Sequence, residues 1–227
     1  MKQQADAMGS DAPTERVQFD RLVSATERAL MSSRSDATKR KLFDAAMELI
    51  GERGFTDASV DEIVDRAGVA KGTVYYHFTG KAELVEALIA DRLRPLALQF
   101  QEAAARNADN PPAAIEALVR AELEFVLESK SFSKLLLTEM WREDRVWRET
   151  LVILRSELMT VIRDVITQGV EDGTFRADVD PAFGASALFG MTATVALDWL
   201  AFEPEKPLDE VVDQITKVAF NALRPAC

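Results

Sequence analysis

The residues best equipped for intermolecular chemistry lie in one short run, Lys71-Gly72-Thr73-Val74-Tyr75-Tyr76-His77-Phe78, with Lys81 just beyond. An ammonium, a hydroxyl, two phenols and an imidazole are donors for phosphate oxygens and base edges, and a bare glycine lets another body approach closely. Catalytic chemistry finds much less material. His77 is the single histidine and Cys227 the single cysteine in 227 residues, which leaves no intrachain disulfide and no imidazole–thiolate metal cluster. No glycine-rich phosphate loop occurs, and the many carboxylates and serines form no set of nucleophile, base and orienter. The expectation is a protein that is not an enzyme and carries no metal and no cofactor.

These donors need a rigid mount, and the preceding residues describe one. Ser59 has Glu62 three residues later, the spacing of a capping box that satisfies two free N–H groups at a helix start. Val60, Ile63, Val64 and Ala67 follow at helical spacing as one apolar stripe. Gly68 then stops the helix, because glycine takes the left-handed conformation without steric penalty. Lys71–Phe78 reads as a second short helix with Val74 and Phe78 inward. Two short helices joined by a glycine turn form a helix-turn-helix. Of the two tyrosines, Tyr76 is expected to be the partly buried one. A lone histidine is more often structural, but the place of His77 beside Tyr75 and Tyr76 on an exposed face favours contact with DNA.

Charge needs reading by region. The net charge is −11, yet ten Lys/Arg face eleven Asp/Glu between Arg34 and Arg94, so the remainder of the chain carries −10. Within the near-neutral section, positive charge gathers at Lys39, Arg40 and Lys41, then at Lys71 and Lys81. An acidic body on a locally basic foot suits DNA binding that is selective and salt-sensitive.

The rest reads as all-α, about nine helices. Residues 1–33 form an N-terminal extension, partly disordered by composition; the alternative is an arm whose arginines reach phosphates or the minor groove. Asp36–Gly54 is a helix with Leu42, Phe43, Ala46, Leu49 and Ile50 inward. A helix opens at Lys81 with a stripe through Leu93, and Pro95 predicts a kink or a break. Asn110-Pro111 and Asp180-Pro181 each pair a capping side chain with a proline in the first turn. Between them lie a segment from Phe132 to Trp141 and a long helix ending at Gly173. The uncharged run between Asp180 and Asp198 is a little short for a membrane span of about 20 residues. With a polar segment from Met1 to Ala12, this predicts a soluble cytoplasmic protein and no membrane partner.

At this point the residues show a likeness. FDAAMELIGERGF, then SVDEIVDRAGVAKGTVYYHF, then GKAEL, in this order and spacing, resemble the N-terminal DNA-binding domain of the TetR family of bacterial transcriptional regulators. The resemblance covers roughly a quarter of the chain. It implies a helix-turn-helix domain over residues 34–80, with the motif at 59–78, and a helical ligand-binding and dimerisation domain over 81–227. It further implies a homodimer on double-stranded DNA at a palindromic operator, and a repressor released by a small molecule. Carried over residue by residue, it places Lys71, Gly72 and Tyr75 toward base edges and Thr73, His77 and Lys81 toward phosphates. Ser59 caps the motif's first helix and is within reach of a phosphate, and Tyr76 packs on a thymine methyl or the backbone edge. Asp61 stands where a basic or polar residue often meets DNA; an acid there either accepts from cytosine N4 or points away. Gly80 replaces the small polar residue often seen before the lysine.

Phe100, Phe125, Phe132, Met140, Trp141, Trp147 and Met159, with Trp199, are candidates to line an effector pocket between the later helices. Any one of them, at helical spacing, is more often core. The effector expected there is apolar or amphipathic, its polar group met by Glu122, Glu139 or Arg145. Dimerisation is expected through 181–202, where Ala185, Gly190, Ala193 and Thr194 permit close approach, and through the stripe of 207–223. A rival reading is a helical small-molecule-binding or scaffold protein without specific DNA binding.

Overall fold

The computed structural model describes residues 35–54, 57–139 and 148–225. The N-terminal extension, Phe55, Met140, Trp141, Arg145, Trp147 and Cys227 lie outside the described residues, as does the side chain of Glu139. The described residues form nine α-helices and no strand: α1 (35–53), α2 (Val60–Ala67), α3 (Lys71–His77), α4 (Lys81–Arg106), α5 (Pro111–Glu128), α6 (Lys130–Glu139), α7 (Arg148–Glu171), α8 (Pro181–Phe202) and α9 (Leu208–Leu223). The all-α expectation holds.

Helix starts follow local chemistry. The Asn110 side chain accepts from the Ala113 N–H at 3.2 Å and the Asp180 carboxylate from the Phe183 N–H at 2.8 Å, each with a proline in the first turn. Gly173, at φ 78°, follows the end of α7 in the left-handed region. Of the kink or break expected at Pro95, the break does not occur. α4 runs unbroken through it for 26 residues. Pro95 and Asp91, the residue whose carbonyl loses its donor, both lie on the exposed side, while Leu93, Leu96 and Ala97 are buried. A carbonyl left free on a wet face can bond water, so packing on the opposite side holds the helix together.

α1, α2 and α3 close a small core of Leu42, Phe43, Leu49, Ile50, Ile63, Val64, Val74 and Phe78, in which the Phe43 and Phe78 rings stand 6.1 Å apart. α4 leaves this head and packs against α5 and α7; α5, α7, α8 and α9 complete a second bundle. The buried side chains of both parts are continuous along α4, through Leu84, Val85, Leu88, Ile89, Leu93, Leu96 and Phe100. α8 is long and apolar enough to cross a membrane by length and composition, but Ala185, Leu188, Thr192, Ala193, Ala196 and Trp199 are packed inside the bundle.

Candidate nucleic-acid interface

The mount for α3 is built as the spacing predicts. Ser59 Oγ accepts from the Glu62 N–H at 3.3 Å, and the Glu62 carboxylate accepts from the Ser59 N–H at 3.1 Å and from the Ser59 hydroxyl at 2.8 Å. These bonds, the hydroxyl's first, hold the Glu62 carboxyl below the ordinary carboxylate range. Gly68, at φ 63°, ends α2, its N–H bonding the Asp65 and Val64 carbonyls. α2 is clamped to α1 by Arg66, which donates to both oxygens of Glu52 at 2.8 and 2.9 Å, and by Arg53 to Glu62 at 2.7 Å. Arg92 of α4 reaches Asp44 of α1 at 2.7 Å. Such exposed pairs add little stability singly, but they link three helices around the reading pair.

On α3 the buried residue is Val74, and Lys71, Gly72, Tyr75 and Tyr76 are exposed, with Thr73 and His77 half-buried. Tyr76 corrects the expectation: it is 84% exposed against 59% for Tyr75. In a seven-residue helix anchored by Val74 and by Phe78 just after it, position 76 falls on the outer side. Its ring meets His77 edge-on, centroids 5.1 Å apart. Both tyrosines thus present their rings to solvent and add nothing to the core of the head. Gly72 has nothing within 4 Å of where a Cβ would stand, and its φ is not in the left-handed region. The fold itself does not require a glycine there. Glycine costs helix stability relative to alanine, and packing within the chain gives no reason for it at this position.

Two predicted contacts have partners inside the protein. Lys71 Nζ sits 3.1 Å from the Asp61 carboxylate across the α2–α3 turn, which raises the lysine above its usual value through the hydrogen bond and the neighbouring charge. Asp61 thus turns toward Lys71, an arrangement with no short-range sequence signal beyond their ten-residue spacing. Lys81 Nζ donates to the Ala58 carbonyl at 2.9 Å, tying the start of α4 to the residue before the Ser59 cap. Gly80 gives no side-chain cap to α4; instead the Glu83 carboxylate reaches back to the Thr79 N–H at 2.7 Å and hydroxyl at 2.6 Å. Arg40 and Lys41 are exposed and Lys39 half-buried near the start of α1, none in an ion pair among the described residues.

The second bundle sorts the remaining candidates. Phe100 and Phe132 are buried in the core, and Met159 is half-buried against it. Phe125 lines a narrow apolar cleft with Leu93, Leu96, Leu151, Leu158 and Phe189, and its ring meets Phe132 edge-on at 6.1 Å. Glu122, in the same cleft, is buried, which pushes its carboxyl well above the ordinary range. Sequence reasoning missed Ser133 and Arg155, which also line it. Trp199 is buried and its indole donates to the Lys206 carbonyl at 3.0 Å, a structural role. Of the small residues expected between subunits, Ala185 and Ala193 are turned into the chain's own core. The outward side of α8 and α9 carries Phe183, Phe202 and Val218, all strongly exposed. Gly190 has open space around it.

Comparison with known proteins agrees with this architecture. Residues 42–88 match the family model for bacterial regulatory proteins of the tetR family, and residues 108–223 match a tetracyclin repressor-like C-terminal domain. The chain is 31% identical to the HTH-type transcriptional repressor KstR2 of Rhodococcus jostii, over 85% of this chain and 94% of that one. It is 29% identical to the HTH-type transcriptional regulator SrpR of Pseudomonas putida, over 84% and 85%. The fold matches the transcriptional regulator FadR of Bacillus subtilis in complex with stearoyl-CoA, with a TM-score of 0.73 at 17% identity, covering 81% of this chain and 98% of that one. The helix-turn-helix head, the helical bundle behind it and these matches together make the chain a member of the TetR family of DNA-binding transcriptional regulators.

Proposed function

We propose that this protein is a dimeric, ligand-released repressor of a palindromic operator, working in the cytoplasm. The observation that carries the reading is α4, a single helix that begins at the reading head and whose buried face continues into the cleft-bearing bundle. Residues 34–80 act as the reading head and 81–227 as the sensing and pairing part. Lys71, Gly72 and Tyr75 meet base edges, while Ser59, Thr73, Tyr76, His77 and Lys81 serve the backbone. For Lys71 this requires exchanging Asp61 for a base edge. For Lys81 it requires sharing its ammonium, which has three donors, between the Ala58 carbonyl and a phosphate.

The exposed apolar side chains of α8 and α9 support pairing through 181–202 and 207–223, with Gly190 and Thr194 rather than Ala185 or Ala193 at the close approach. A dimer of this kind places two α3 helices about 34–36 Å apart, one turn of duplex. A ligand that wedges α4 from α7 tilts the head and changes that separation. Its effect on the operator is bounded by its differential affinity for the two arrangements. Relatives named for fatty acid metabolism and for the ketosteroid regulator KstR2 support an effector with an apolar body. Selection from a random duplex pool by the purified protein should enrich a palindrome, and no enrichment at low salt would defeat the DNA-binding reading. Sedimentation at micromolar concentration should show a dimer; a monomer would defeat the pairing.

A further inference from the structure

The cleft between α4, α5, α6, α7 and α8 has three polar side chains among apolar walls, and two of them hold a buried donor without a partner. Ser133 is buried and its hydroxyl makes no hydrogen bond among the described residues. Arg155 Nε is buried and equally unpartnered, its guanidinium carbon lying 5.5 Å from the Phe189 ring centroid. Glu122 is buried and takes part in no ion pair among the described residues, not even with Arg155. Buried polar groups are nearly always paired, because leaving one unpaired forfeits its hydration without return. Two unpartnered donors on side chains that line one small cavity, with a buried carboxyl beside them, are therefore poorly explained as packing. The cavity itself is only about 40 Å³, room for two or three waters. A larger occupant must spread α4 from α7, which is the motion the release mechanism needs.

Each of these groups says something about that occupant. The Ser133 hydroxyl and the Arg155 Nε–H both donate, and a carboxyl shielded from water keeps its proton and donates as well. The arginine's fixed charge opposes a cation on the ligand. We propose that the cleft takes a ligand with an extended apolar body and a single oxygen-acceptor head, a carbonyl or carboxylate, received by Ser133, Arg155 and Glu122. This deepens the effector reading above and rests on it. The raised proton affinity of Glu122 fits the donor role but is not what selects the head; the two orphaned donors are.

The test is calorimetric titration of the full-length protein, without DNA, using four decyl compounds below their micelle concentrations: decanoate, decan-2-one, decan-1-ol and decyltrimethylammonium. Decanoate or decan-2-one should bind at least tenfold more tightly than the ammonium, and whichever of the two leads assigns the head to carboxylate or neutral carbonyl. Ser133→Ala and Arg155→Met should each weaken that binding tenfold or more. Leu136→Trp, which fills the cleft and leaves the donors in place, should abolish it, and keeps the test open if an Arg155 variant folds poorly. Equal or tighter binding of the ammonium, no binding of any compound, or affinity unchanged in both Ser133→Ala and Arg155→Met overturns the proposal. A bound ligand that does not release the selected operator defeats the ligand-released repressor and leaves the acceptor site standing. Release that is indifferent to Ser133 and Arg155 does the reverse.

Discussion

Gly72→Ala separates folding from recognition because the two effects have opposite signs. The backbone at Gly72 is helical and open space surrounds the position, so an added methyl meets nothing in the protein. Alanine restricts the unfolded chain more than glycine and favours the helix, a gain of about 0.4–1 kcal/mol at a compatible site. Gly72 is the second residue of α3, where helix bonding is incomplete, which places the gain near the lower end of that range. For a chain of this size that corresponds to a rise in melting temperature of roughly 1–3 °C. On the proposed reading the same methyl stands where a base edge comes close, and displacing one good bidentate contact costs about 1–3 kcal/mol. In a dimer the loss occurs in both half-sites. Differential scanning calorimetry and fluorescence anisotropy on a labelled operator measure the two effects on one preparation. A variant that is more stable and binds the operator within twofold of the parent refutes the close approach at Gly72. A variant that is less stable refutes the claim that the fold does not need glycine there.

Asp61→Asn should free Lys71 and tighten operator binding several-fold at low salt, whereas Lys71→Ala should cost about 1–3 kcal/mol per half-site and relax sequence preference; weaker binding by the asparagine variant would show that Asp61 positions the lysine instead of competing for it. Glu122→Gln should change the pH dependence of stability. Burial raises the folded carboxyl above its ordinary 4.5, so its stabilisation is complete below that pH. It is lost as pH rises toward the folded value, by about 1.4 kcal/mol per pH unit. Urea melts from pH 4.5 to 8 should therefore show the glutamine variant gaining on the parent as pH rises, and a pH-independent difference would contradict the burial argument. Gly169→Ala would set a Cβ 2.2 Å from the buried Phe175 ring. Overpacking of that kind costs typically about 1–3 kcal/mol, read as a lower urea midpoint; an unchanged midpoint would mean the ring moves freely aside.

The sequence by itself determined what is local. Ser59 with Glu62, Asn110 with Pro111, Asp180 with Pro181, and Gly68 and Gly173 act on backbone groups within a turn of themselves. Their types and spacing therefore sufficed to place helix ends and the reading pair. The ordered run from the first helix through Lys81 carried the family, since separated elements must keep their spacing to pack as one head. Only the tertiary structure decided what depends on partners far along the chain. Pro95 passes inside α4 because burial of Leu93, Leu96 and Ala97 holds the helix against the bundle. Ala185 and Ala193 face inward, and Tyr76 outward, because packing sets the rotation of each helix, and small or amphipathic residues leave it ambiguous in a stripe. The orphaned donors of Ser133 and Arg155 were invisible for the same reason: a missing hydrogen bond is a property of the whole neighbourhood, and no residue type announces it.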